Sequence, residues 1–144
     1  MACALWCRDT SSLPLPGAVA AFSPWLDLTQ SLPAWHVNKA YDFLPSQLND
    51  PKHTRLNLYV AHDHQICDPY VSPIYAKVTE VELPPMMFHV GGKERVRDDG
   101  VLFRMIFGGG GVAGEGRGRV GLEVYQDMVV SINLFVSCDQ RFFI

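Results

Sequence analysis

The sequence predicts an α/β fold built on a parallel sheet, and three observations carry that expectation. Residues 17–22, 86–90 and 120–125 are short apolar segments bounded by turn-forming residues, and each has the length of a strand. The connections between them are far too long for hairpins, which is how parallel neighbours are joined. Between the second and third segments, Val101, Leu102, Met105 and Ile106 recur at helical spacing.

The elements follow in chain order. Residues 2–9 are helix-like, and the 11–16 stretch, with Pro14 and Pro16, forbids continuation. Met1-Ala2-Cys3-Ala4-Leu5-Trp6 reads as the middle of a buried helix, so further chain is expected upstream. Cys3 and Cys7 lie four apart and are expected as neighbouring buried thiols. The continuous apolar run 17–22 suits a strand buried on both faces. Ser23-Pro24-Trp25-Leu26-Asp27-Leu28-Thr29 leaves that strand as a loop, and residues 37–60 hold short helical patterns broken at Pro45 and Pro51. Residues 69–73 are expected to be extended. Pro84 and Pro85 open the second strand, 86–90. A helix over 98–107, a glycine-rich loop over 108–118 and a third strand over 120–125 complete the order.

The chain has 144 residues, 48% hydrophobic and 19% charged, which is enough for one globular domain with a core. A net charge of −3, with scattered basic residues, gives no electrostatic case for nucleic acid. Four cysteines without C-x-x-C spacing point to reduced structural thiols. No apolar run approaches the roughly 20 residues of a spanning helix. The first residues also lack the basic and apolar regions of a secretory signal. A membrane role is therefore not called for, and a cytoplasmic location is favoured.

Several motifs invite a chemical reading. Gly108-Gly109-Gly110-Gly111 suggests a phosphate loop, but no G-K-S or G-K-T follows, so a linker is expected. His62, His64 and Cys67, interleaved with Asp63 and Asp68, match no closed zinc set, so a solvated polar loop is expected and no metal is assigned. His36 and His89 are read as structural. Trp25 and Trp35 are expected to pack together at the top of the sheet. In Gly91-Gly92-Lys93-Glu94-Arg95-Val96-Arg97-Asp98-Asp99-Gly100, an apolar strand ends in glycines and acids. An α/β enzyme holds the carboxylate that orients its histidine at such a place. An acidic helix start, stabilised by the macrodipole, explains Asp98 and Asp99 equally well.

Together the segments resemble the C-terminal part of the hormone-sensitive-lipase-like α/β-hydrolases, the α/β-hydrolase fold-3 group, especially fungal members. The matching stretches are Ala4-Leu5-Trp6-Cys7-Arg8-Asp9, Leu13-Pro14-Leu15-Pro16-Gly17-Ala18-Val19, Ser23-Pro24-Trp25-Leu26-Asp27-Leu28-Thr29, Val71-Ser72-Pro73, Leu83-Pro84-Pro85, Glu94 to Gly100, and Leu122-Glu123-Val124-Tyr125-Gln126-Asp127-Met128-Val129. They keep the family's order over roughly residues 3–129.

The resemblance implies about three parallel strands with flanking helices in an incomplete sheet. It also implies acyl transfer from small-molecule esters by a serine, histidine and acid triad, without a cofactor. Glu94 falls at the triad acid, with Asp98 as the fallback; Asp98 falls at a second acid expected to cap the following helix. The family's H-G-G-G loop and G-D-S-A-G elbow precede the matched region, so no nucleophile is assigned. Where the family continues D-M-V-H, this chain reads Asp127-Met128-Val129-Val130, so Val130 stands at the histidine place and no base is assigned. Residues 1–129 are read as the C-terminal portion of a hydrolase domain and 130–144 as a divergent tail. Two expectations follow: an ester-hydrolase portion inactive by itself, or a non-catalytic module that associates through an exposed sheet edge.

Overall fold

The computed structural model describes residues 1–44, 60, 63–79, 83–108 and 120–129. Three strands form one sheet in the order β1-β2-β3, namely β1 (Val19–Phe22), β2 (Met86–Gly91) and β3 (Val120–Tyr125). Both pairings are parallel, as the long connections require. Register aligns Phe22 with His89 and His89 with Glu123. β2 is thus central, and the strand ends bring residues 23, 91–94 and 126–128 to one edge of the sheet.

Helix α1 (Ala2–Thr10) ends where Ser11 turns left-handed, at φ 50°, and returns its N–H to the Cys7 carbonyl. Helix α2 (Pro33–Val37) begins with proline at its first turn, where a missing N–H costs nothing. It runs into a 3₁₀ turn over Asn38–Ala40. Helix α3 (Arg97–Phe107) lies on one face of the sheet. Gly100 sits there against Val90, Leu122 and Phe88, so its missing side chain lets the helix come close. Phe103 packs at a tilt against Phe88 and Phe107, with ring centroids 5.5 and 4.4 Å apart. Phe88 and Phe103 are fully buried, each contributing about 2–3 kcal/mol of hydrophobic stabilisation. Leu5, Leu26, Ile74 and Met86 belong to the same core.

The opposite face is more open. Phe22, His89 and Tyr125 form a row of stacked rings across the three strands, with centroids 4.8 and 6.0 Å apart. His89 Nδ1 lies 3.1 Å from a Glu123 carboxylate oxygen and 3.2 Å from the Tyr125 hydroxyl.

Four expectations need correction. β1 is not buried on both faces: exposure alternates along it and Phe22 is 50% exposed, since no described strand lies on its outer side. Residues 69–73 are not extended; they form turns leading into a 3₁₀ turn over Pro73–Tyr75, where the Ser72 and Val71 amides return to the Asp68 carbonyl. Cys7 is buried but Cys3 is exposed, because α1 turns only one face to the core. His36 is exposed on α2 rather than held in a core. Trp25 and Trp35 do stack, 5.3 Å apart, in a second small cluster with Val96 and Leu44. The glycine-rich loop beyond Gly108, His62 and Val130 lie outside the described residues. Among the described residues no helix is long and apolar enough to cross a membrane.

Candidate active site

The carboxyl edge of the sheet gathers three segments around Glu94. At the end of β2, Gly91-Gly92-Lys93-Glu94 makes a tight turn closed by the Glu94 amide on the Gly91 carbonyl, 3.1 Å. The Glu94 side chain folds back over this turn. Its Oε2 accepts the Gly91 amide at 2.7 Å and its Oε1 accepts the Ser23 hydroxyl at 2.5 Å. Glu94 is 1% exposed. Charge-assisted hydrogen bonds of this kind are what permit a carboxylate to stay buried. Its main chain is fixed as well: Asn38 donates Nδ2 to the Glu94 carbonyl at 2.8 Å and to the Gly92 carbonyl at 3.2 Å.

Ser23 follows directly on Phe22, the last residue of β1. Ser23 has φ 47°, a left-handed conformation unusual for serine, and its amide donates to the His89 carbonyl at 2.8 Å. β3 supplies the third segment. Asp127, also left-handed at φ 61°, turns the chain back so that the Met128 carbonyl accepts the Lys93 amide at 3.2 Å. That carbonyl lies against Gly91 so closely that a Cβ there would be 2.2 Å from it, and 2.9 Å from Glu94 Cγ. Gly91 is therefore required by close approach from two sides.

The neighbouring acids have other partners. Asp98 lies inside α3, and its Oδ2 accepts the Ala34 amide at 2.8 Å. It therefore satisfies an orphan donor at the start of α2, while α3, whose N-cap is Val96, has no side-chain cap. The sequence expectation that Asp98 caps its own helix is corrected accordingly. Arg97 holds the other Asp98 oxygen at 2.8 Å and donates to the Gly92 carbonyl at 3.2 Å. Asp99 is buried, and its Oδ2 accepts the amides of Leu26 and Asp27, each at 2.8 Å. Burial pushes the Asp99 carboxyl up to about 7; the two amides oppose that, and Asp27 and Asp98 add to it.

Arg95 turns away from the sheet edge. Its guanidinium lies 4.0 Å over the Trp35 ring and donates to the Trp35 and Leu44 carbonyls at 2.7 and 3.0 Å. Burial pulls this guanidinium down from its usual value, and Asp42 partly restores it.

Sequence reasoning singled out Glu94, Asp98 and Asp99 but missed Ser23 and Asn38 as its supports. Ser23-Pro24 was legible only as a loop exit. Its hydroxyl meets a residue 71 positions away, and no local pattern carries that pairing. Among the described residues no three His, Cys, Asp or Glu side chains are grouped to hold a metal ion, and Cys67 is exposed.

The Ser23 hydroxyl bond makes a direct prediction. Ser23→Ala leaves the left-handed backbone in place and removes a hydrogen bond to a charged, buried acceptor. Such bonds contribute about 1.5–3 kcal/mol, so denaturant unfolding should show a loss near 2 kcal/mol. A loss under 0.5 kcal/mol would mean that Ser23 does not hold Glu94.

Comparison with known proteins gives a consistent result. Residues 1–121 match a family described as alpha/beta hydrolase fold. An esterase of Acinetobacter venetianus is 33% identical over 90 residues, covering 62% of this chain and 28% of that protein. The esterase EstE5, in crystals soaked with p-nitrophenyl butyrate, superposes with a TM-score of 0.71 at 26% identity, covering 94% of this chain and 42% of that one. An esterase from the bacterial hormone-sensitive lipase family gives 0.74 at 26% identity, with the same coverage. A hormone-sensitive lipase from a metagenome library gives 0.68 at 25% identity, covering 92% of this chain and 41% of that one. The chain spans less than half the length of each of these relatives.

Proposed function

We propose, for a chain that belongs to the alpha/beta hydrolase fold family, that it is the acid-bearing portion of a carboxylic ester hydrolase of the hormone-sensitive-lipase type. In this reading Glu94 is the triad acid. The observation that carries it is the Glu94 carboxylate, buried at the carboxyl edge of the sheet and fixed by the Gly91 amide and the Ser23 hydroxyl. The return of the chain after β3 to the same turn, through Met128, supports it further, because a group shortly beyond Met128 would be delivered beside the acid.

The chemistry is acyl transfer. A serine attacks the ester carbonyl, a histidine takes and returns the proton, and the acid fixes the tautomer and stabilises the imidazolium. This chain's own share is the acid that orients the histidine and stabilises its charged form. Gly91, Ser23 and Asn38 keep Glu94 in one position, so the carboxylate does not reorganise as the imidazolium forms. With Val130 at the histidine place and no G-x-S-x-G, residues 1–129 act as the hydrolase portion and 130–144 as a divergent tail. Alone the chain is then catalytically silent, since loss of triad members costs many orders of magnitude in rate. Fungal-type membership and a cytoplasmic location, both expected from the sequence, stay within this proposal.

The test is twofold. The isolated chain should not turn over p-nitrophenyl butyrate above background. A chimera that joins residues 1–129, followed by Val130→His, to the preceding portion of EstE5 should turn it over. In that chimera Glu94→Ala should lower kcat roughly 10³- to 10⁴-fold. A folded, active chimera indifferent to Glu94→Ala but abolished by Asp98→Ala would transfer the role to Asp98 and sink the assignment.

A second reading has its own observation. β1 is hydrogen-bonded on one side only among the described strands, and Phe22 at its end is half exposed. An open strand edge of this kind pairs with other chains. On this reading the chain is an interaction module that self-associates. Light scattering after size-exclusion chromatography separates the two, because a monomer at every concentration removes the module reading.

A further inference from the structure

The Cys3-x-x-x-Cys7 pair on α1 takes no part in the ester-hydrolase reading. Residues four apart on a helix share one face, with Cβ atoms roughly 5–6 Å apart. Both thiols are free, Cys3 exposed and Cys7 buried. Burial is the largest influence on the Cys7 thiol and pushes it up, and the neighbouring Cys3 thiol adds to it. Cys7 also lines a cavity of about 350 Å³, together with Arg8, Ser11, Leu13 and Leu15.

Three kinds of occupant for a helical dithiol differ in what they need. A disulfide requires Cβ atoms about 3.5–4.5 Å apart, closer than a regular helix places them, so it would distort α1. Zinc requires four ligands, and no third His, Cys, Asp or Glu is grouped with another two among the described residues. A trivalent organoarsenical needs two sulfurs only. The arsenic atom, inserted between them with two As–S bonds, spans a longer gap than a direct S–S bond. Its third substituent is its own organic group. Soft thiol ligands suit a soft centre.

We propose that Cys3 and Cys7 form a dithiol site for trivalent monosubstituted arsenicals, with Cys7 seated beside the cavity that receives the organic group. Capture begins at the exposed Cys3 and closes on Cys7 within the same helix. In the aqueous reagent R–As(OH)₂, each thiol sulfur forms one As–S bond and displaces one hydroxide. The thiol protons leave with the hydroxides as two waters, and arsenic keeps its oxidation state. The apolar side chains of Leu13 and Leu15, both exposed, offer the cavity's contact for a phenyl group.

The test uses phenylarsine oxide and intact-mass analysis of the whole chain. One adduct should form, survive excess 2-mercaptoethanol and be removed by a 1,2-dithiol. Cys3→Ala, at an exposed position that leaves the fold intact, should weaken retention roughly 100-fold, because closure of the second bond supplies the avidity. Cys7→Ala should do the same. The double variant Cys67→Ser, Cys138→Ser should keep the adduct. Unchanged retention in Cys3→Ala, or loss of the adduct in the double variant with Cys3 and Cys7 present, would overturn the site. Circular dichroism of the adduct gives a second readout. Retained helix is expected, and unwinding of α1 would show that the pair cannot be bridged in place.

Discussion

Asp99→Ala should destabilise the chain by about 4 kcal/mol at pH 5. The substitution removes the acceptor for two buried amides, Leu26 and Asp27, and each buried donor left without a partner costs about 1–3 kcal/mol. Asp99→Asn is expected to cost far less, since its amide oxygen can accept both bonds. The pair of variants also isolates a pH effect. The Asp99 carboxyl sits at about 7 in the folded chain against an ordinary 3.8, so the folded state holds this proton more tightly than the unfolded chain does. The stability that the proton supplies is therefore complete below pH 4 and is lost as pH rises through 7. A difference of about 3 pH units corresponds to at most about 4 kcal/mol. Denaturant melts of the wild-type chain should show this fall between pH 4 and 8, and Asp99→Asn should remove it. Subtracting one curve from the other cancels the remaining titrating groups. Parallel curves for the two proteins would contradict a buried, protonated Asp99.

The second large effect lies at the sheet edge. Gly91→Ala places a methyl group 2.2 Å from the Met128 carbonyl oxygen and 2.9 Å from Glu94 Cγ. The first contact is with backbone and cannot be relieved by a rotamer change. Either the 126–128 return or the 91–94 turn must move. Overpacking of this kind costs typically 1–3 kcal/mol, and with the Glu94 bond to the Gly91 amide strained as well, about 3 kcal/mol is expected. The check is a thermal melt beside amide chemical shifts at Lys93 and Gly92, whose bonds to Met128 and Tyr125 report the same turn. A variant with wild-type melting and unchanged shifts would mean that the return segment does not hold Glu94 in place. Gly92→Ala is the milder comparison, since a Cβ there meets the Gln126 backbone at 3.3 Å and asks for a shift of only a few tenths of an ångström.

The contrast between what sequence reveals and what it hides follows from range. β3 was legible at both ends, and β2 within one residue, because alternation and flanking prolines are local signals. Helix α3 was legible from the spacing of Val101 to Ile106. The face exposure of β1 was not, because an apolar run reads the same whether or not a layer covers it. The position of Glu94 just past a strand was legible, since glycines mark the strand end. Its supports were not: Ser23 and Asn38 reach it from 71 and 56 positions away. Asp98 shows the same limit. The helix-start signal was present, but the amide it serves belongs to α2, 64 residues earlier.

That reach has a kinetic consequence. The first turn of α3 puts two consecutive carboxylates onto amides of a distant segment, Asp98 onto Ala34 and Asp99 onto Leu26 and Asp27. None of these three amides can gain its partner until two stretches separated by more than sixty residues have met. Contacts of such separation are slow to form because the loop must close before they are rewarded. In a pulse-labelling experiment Leu26, Asp27 and Ala34 should acquire protection from exchange together and late. Their common time constant then measures the docking of residues 83–108 on residues 19–44, while the i→i−4 amides inside α1 are protected earlier on local contacts alone.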